Sequence, residues 1–113
     1  MTKNKDSTRY YSTQQEWWVS RLIDGRRTPN SGATLFTKGD VLTKLFMIEC
    51  KTQMKEKKSF SIKKEWIDKL KEEAFSGNKP YWAIAFNFGG EDQTDNYFVI
   101  NSELFQKLVR LGE

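Results

Sequence analysis

The sequence predicts an α/β domain, a central mixed β-sheet flanked by helices in the order α-β-β-α-β-β-α. Three observations lead there. Tyr81–Phe88, "YWAIAFNF", is almost continuously apolar, the pattern of a strand covered on both faces. "FMIECKT", Phe46–Thr52, alternates between two faces, Phe46, Ile48 and Cys50 on one and Met47, Glu49 and Lys51 on the other. Ile62, Trp66, Leu70 and Ala74 recur every fourth residue, as on the inner face of a helix.

From the N-terminus, residues 1–11 read as a flexible tail ahead of a single domain spanning 12–113. Ser12–Asp24 reads as a helix, with Ser12 and Gln15 as a capping box and Gly25 as the stop. Trp18, Val19 and Leu22 form its apolar stripe, and Glu16 lies at the edge of that stripe, where an acid can point toward a cleft. Gly25–Ala33, "GRRTPNSGA", reads as a loop. Arg26, Arg27 and Ser31 there suit phosphate contacts, although a plain turn is the simpler alternative.

Thr34–Leu42 and Lys44–Thr52 read as a strand pair joined through a turn at Thr43–Lys44. Ser61–Ser76 is the second helix, with Ser61 as N-cap and Gly77 just past its end. "GGEDQTD" is a loop, Asn96–Ile100 a strand, and Ser102–Leu111 a closing helix with Leu104, Phe105, Leu108 and Leu111 apolar.

The 113 residues suffice for one core. No stretch approaches the ~20 apolar residues of a membrane span, and the polar start lacks a secretory leader, so the expected location is cytoplasmic. The chain has no histidine and one cysteine, Cys50. Histidine-based nucleophilic catalysis and histidine- or cysteine-rich metal centres are thereby excluded. Any hydrolytic chemistry falls to carboxylates and lysine, whose hard oxygen donors favour magnesium or manganese.

The net charge is +4, and its excess is local: Lys51–Lys71 holds eight lysines against three acids. Lys55, Lys57, Lys58, Lys63 and Lys64 in that stretch are candidate contacts to a phosphate backbone. A solvated lysine face is the plainer alternative.

Asp40 and Glu49 are expected on one face of the paired strands, as diagonal neighbours, if the turn places Asp40 opposite Met47. Two carboxylates so placed can close on one divalent cation, with the Cys50 carbonyl as a third oxygen. Lys51 then lies beside the metal, able to stabilise negative charge or orient an attacking water. The alternative is an amphipathic edge strand whose Glu–Lys pair faces water.

"GD" at Gly39–Asp40 followed by "IECK" at Ile48–Lys51 resembles the PD-(D/E)xK nuclease signature, with glycine where the motif has proline. "EWWVSRLIDG" at Glu16–Gly25 and "RTPNSGA" at Arg27–Ala33 are similar to archaeal-type Holliday junction resolvases. The resemblance covers about Glu16–Phe88. It implies a restriction-endonuclease-like fold and magnesium-dependent cleavage of DNA, most specifically of four-way junctions, by a homodimer. It also implies roles: Asp40 and Glu49 as metal ligands, Lys51 as the catalytic lysine, Glu16 as the helix acid that completes the metal site, and Ser31 as a loop serine near the scissile phosphate. The basic residues that precede the helix acid in that family are here Thr13, Gln14 and Gln15, and the loop after Gly25 is short. A general or restriction-type nuclease and a non-catalytic nucleic-acid-binding module remain as alternatives.

Overall fold

A computed structural model describes residues 8–28 and 39–113. Among the described residues, three helices and five strands follow one another as α1 (Thr8–Leu22), β1 (Arg26–Arg27), β2 (Val41–Leu42), β3 (Phe46–Lys51), α2 (Lys64–Ser76), β4 (Tyr81–Phe86), β5 (Tyr97–Val99) and α3 (Ser102–Gly112). The strands form one mixed sheet in sequence order: β3 and β4 run parallel, and the other neighbours antiparallel. The parallel pair needs a crossover, which α2 supplies.

The alternation read in "FMIECK" sorts the core into two layers. Leu42, Met47, Trp82 and Ile84 pack with Leu70 and Ala74 of α2 on one face. Val41, Ile48, Ala83 and Ala85 pack with Val19 of α1 on the other. Trp82–Ala85 are buried whichever way they point, as the apolar run of β4 requires.

Several boundaries and faces differ from the sequence reading. α1 begins at Thr8, so Thr8–Tyr11 belong to the helix and Ser12 is not its cap. Its buried stripe is Tyr11, Gln15, Glu16, Val19 and Ser20, whereas Trp18 and Leu22 are exposed. The stripe is rotated because two polar residues, Gln15 and Glu16, take inward positions that hydrophobicity alone assigns to tryptophan and leucine. α2 starts at Lys64, with Lys63 at the N-cap position and no side-chain cap; Gly77 ends it as expected. α3 is capped by Asn101, whose side chain accepts the Leu104 N–H at 2.9 Å. Only Leu104 of its apolar residues is buried; Phe105, Leu108 and Leu111 are exposed. A short strand, β1, appears where a loop was expected, and of the expected strand Thr34–Leu42 only the last four residues are described. Among the described residues, no helix is long and apolar enough to cross a membrane.

Candidate active site at the β2–β3 bulge

The β2–β3 connection sets the geometry of the site. The Thr43 N–H donates to the Phe46 carbonyl at 3.0 Å, and the Thr43 hydroxyl accepts the Phe46 N–H at 2.9 Å. The two-residue turn is therefore Lys44–Leu45, not Thr43–Lys44. The register moves accordingly: Leu42 pairs with Met47 and Val41 with Ile48. The Asp40 N–H also donates to the Ile48 carbonyl, at 2.9 Å, so Asp40 and Val41 both face Ile48 and the strand bulges. Asp40 thus comes beside Glu49 rather than opposite Met47, close enough that each carboxyl acts on the other's proton affinity.

Gly39 makes the bulge possible. Its φ is +80°, and a Cβ there would lie 2.6 Å from the Met47 Cγ. Proline is held near φ −65° and cannot take this conformation, which gives "GD" its physical reason in this chain. Thr28 fixes the bulge from the β1 side. Its hydroxyl donates to the Gly39 carbonyl at 2.7 Å and its N–H to the Asp40 carbonyl at 3.1 Å. The Asp40 carboxylate in turn accepts the Cys50 N–H at 2.7 Å.

These residues line a pocket of about 520 Å³ bounded by Glu16, Arg27, Asp40, Glu49, Cys50 and Lys51, with Thr8, Arg9, Ser12, Thr13 and Thr28 along its rim. Glu16 reaches it from α1, and its carboxylate lies 3.6 Å from the Arg27 Nε. The Lys51 ammonium is 3.5 Å from Glu49 and sits over the Trp66 ring of α2, 4.6 Å from its centroid. Lys51 is held from behind as well: the fully buried Gln15 amide donates to the Lys51 carbonyl at 2.9 Å, to Ala85 at 3.2 Å and to the Asn96 side chain at 3.1 Å. Gln15 Oε1 is buried without a partner.

Crowding the acids away from water has an electrostatic consequence. Burial raises the Glu49 carboxyl to about 7, and the Asp40 charge adds to the rise while Lys51 opposes it. Asp40 is raised chiefly by burial, with the Cys50 N–H opposing and the Glu16 charge adding. Burial also raises Glu16, against Arg27. Burial and the three carboxylates together push the Cys50 thiol well up, which makes it a poor nucleophile.

A carboxylate pair destabilised in this way matches the chemistry of a hard divalent cation: oxygen donors, excess negative charge and one ammonium beside them. Asp40 and Glu49 would hold such an ion, with the Cys50 carbonyl on the same strand as a further oxygen. Glu16 stands off, engaged by Arg27. Among the described residues, no three acidic, cysteine or histidine side chains converge on one point.

The pocket brings together six residues singled out in the sequence: Glu16, Arg27, Asp40, Glu49, Cys50 and Lys51. Ser31 lies outside the described residues. Arg26 and Arg27 are exposed on β1. Lys55, Lys57, Lys58, Lys63 and Lys64 are exposed too; Lys63 lies 5.7 Å from the Trp66 centroid, and Lys64 pairs with Asp68 at 2.8 Å. Sequence reasoning missed the pocket-rim residues of the first α1 turns, Gln15 as a buried tie, and Trp66 as the support for Lys51. The only available signal was the helical spacing from Thr8 and Ser12 to Glu16, hidden by the polar look of the N-terminus.

No protein-family model matches the chain, and no curated protein or solved structure is similar to it at a significant level.

Proposed function

We infer that this chain is a metal-dependent endodeoxyribonuclease of the PD-(D/E)xK type with a restriction-endonuclease-like fold. Its proposed substrate is branched DNA, resolved by a homodimer. The observation that carries the reading is the convergence of Asp40, Glu49 and Lys51 on one pocket at the β2–β3 bulge, with Lys51 3.5 Å from Glu49. Two half-buried acids crowded together cost stability, and a protein that needed only a folded sheet would gain by replacing either one.

Magnesium or manganese bound at that pair would supply Lewis-acid assistance to phosphodiester hydrolysis. The chain's own residues do the rest. Trp66 and Gln15 fix Lys51 from two sides, so its ammonium is preorganised to stabilise negative charge developing on a phosphate oxygen. Arg27 holds Glu16 at the pocket wall and presents a cation to the DNA backbone. The exposed lysines that follow β3 supply sequence-independent affinity.

Cleavage of labelled four-way junction, flap and linear duplex in magnesium tests this function. Junction cleavage at paired positions on opposed strands supports the resolvase. Equal cutting of all three supports a general nuclease instead. Binding without cutting in magnesium or manganese supports the non-catalytic module.

A further inference from the structure

Lys51, Phe86 and Tyr97 form one row across three neighbouring strands. Lys51 of β3 is paired with Phe86 of β4, and Phe86 with Tyr97 of β5. Directly paired residues share a face of the sheet, so the row runs from the pocket lysine to the edge strand on the α2 side. Four contacts extend it into a continuous strip of rings. Phe60 stacks on Phe86 at 5.5 Å and 23°, and reaches Trp66 at 6.3 Å. Tyr97 meets Phe86 and Phe88 at 5.7 Å each.

The strip is not a closed core. Tyr97 is 46% exposed, and the other four rings are only partly buried. Its flank is cationic: the irregular segment that delivers Phe60 also carries exposed Lys57 and Lys58, and Lys63 lies over Trp66. Aromatic faces beside a basic flank are what a single strand of nucleic acid binds, its phosphates paired with cations and its bases stacked on rings. The far end is bounded, since the Tyr97 hydroxyl meets the Asp95 carboxylate at 3.4 Å and Glu91 and Asp92 follow in the same loop. Strands lie about 4.8 Å apart, so the row spans about 10 Å, room for a few bases and not a long strand.

We propose that the Phe86–Tyr97 row is a stacking surface for unpaired bases of a single-stranded DNA segment that leads away from the Lys51 pocket. The direction of that path rests on the nuclease reading; the stacking itself does not. The site would make the preferred substrate one with unpaired nucleotides beside the cleaved phosphate.

The test compares fluorescein-labelled oligo(dT) with an abasic oligomer of the same length, titrated with the whole protein in EDTA. The two carry the same phosphates and differ in bases. Oligo(dT) is expected to bind at least about fivefold more tightly. Tyr97→Leu, at an exposed position, is expected to remove that margin without weakening abasic binding, and Tyr97→Phe to retain it. Equal binding of the two oligomers, binding of neither, or indistinguishable Leu and Phe variants would overturn the proposal. Cleavage of labelled four-way junction and of duplex plasmid in magnesium is read on the same preparation. A protein that cuts but does not tell dT from abasic loses the stacking surface alone. One that stacks bases and cuts nothing loses the nuclease reading alone.

Discussion

Burial, with the Asp40 charge beside it, makes ionised Glu49 costly in the folded chain. In the folded, metal-free chain the Glu49 carboxyl keeps its proton up to about pH 7, while in the unfolded chain it loses it near 4.5. Across that window the folded state binds more protons than the unfolded one, so this group makes stability fall as pH rises. Glu49→Gln removes the penalty. In EDTA at pH 8 the variant is expected to exceed the wild type by on the order of 1–3 kcal/mol, and the difference should shrink toward pH 4.5. Thermal melts at the two pH values check this; a variant less stable than wild type at pH 8 contradicts it. Magnesium should raise the wild-type melting temperature at pH 8, because it binds only the folded pair, and should raise that of Glu49→Gln much less. Gly39→Pro belongs to the same scale. The φ of +80° and the Met47 contact forbid proline, so cleavage and stability should both drop.

The layers on either side of the sheet rest on different kinds of residue. α2 packs through apolar side chains, and Leu70 is 2% exposed in that layer. Leu70→Ala is expected to cost about 2–4 kcal/mol by denaturant unfolding; a loss below 0.5 kcal/mol would mean that the layer collapses around the gap. α1 packs partly through a polar tie, Gln15, which links the helix carrying Glu16 to the strand carrying Lys51. This contrast explains which parts of the fold were readable. Four apolar residues at helical spacing announced α2, and the apolar run announced β4. The inner face of α1 was misassigned because a glutamine with three acceptors is invisible to hydrophobic patterning, while Trp17 and Trp18 pack edge to face on each other at 4.9 Å and remain exposed. Asp40, Glu49 and Lys51 were legible as a set because strand alternation fixes faces. Their register was not, because it depended on one hydroxyl, that of Thr43, which placed the turn one residue later and brought the acids together.

At the scale of the whole molecule the charge is divided. Acids gather at the pocket, and exposed lysines lie along the segment after β3. DNA affinity should therefore fall steeply with salt, by roughly one counterion per phosphate contact. Charge reversal at Lys57, Lys58 and Lys63 should weaken binding and flatten that slope, as read by anisotropy titrations at several salt concentrations. An unchanged slope would move the backbone contact elsewhere. The exposed aromatics bear on assembly as well. Tyr11 is buried within the protomer, whereas Trp17, Trp18 and Phe105 remain at the surface. Resolving a four-way junction takes two cuts on opposed strands, and a two-fold pair matches that symmetry. Sedimentation at micromolar concentration should give a dimer; a monomer that cuts linear duplex as fast as junction would leave only the general nuclease.

A hydrolytic site built from Asp40, Glu49 and Lys51 stands or falls on single-turnover cleavage of a labelled junction in magnesium by wild type, Asp40→Asn and Glu49→Gln, with binding read in parallel. Both substitutions keep the side-chain shape and remove a carboxylate charge. The wild type is expected to cleave and each variant to lose at least about a hundredfold, with DNA binding unchanged or tighter because a repulsive charge is gone. Wild-type cleavage rates in either variant would contradict it.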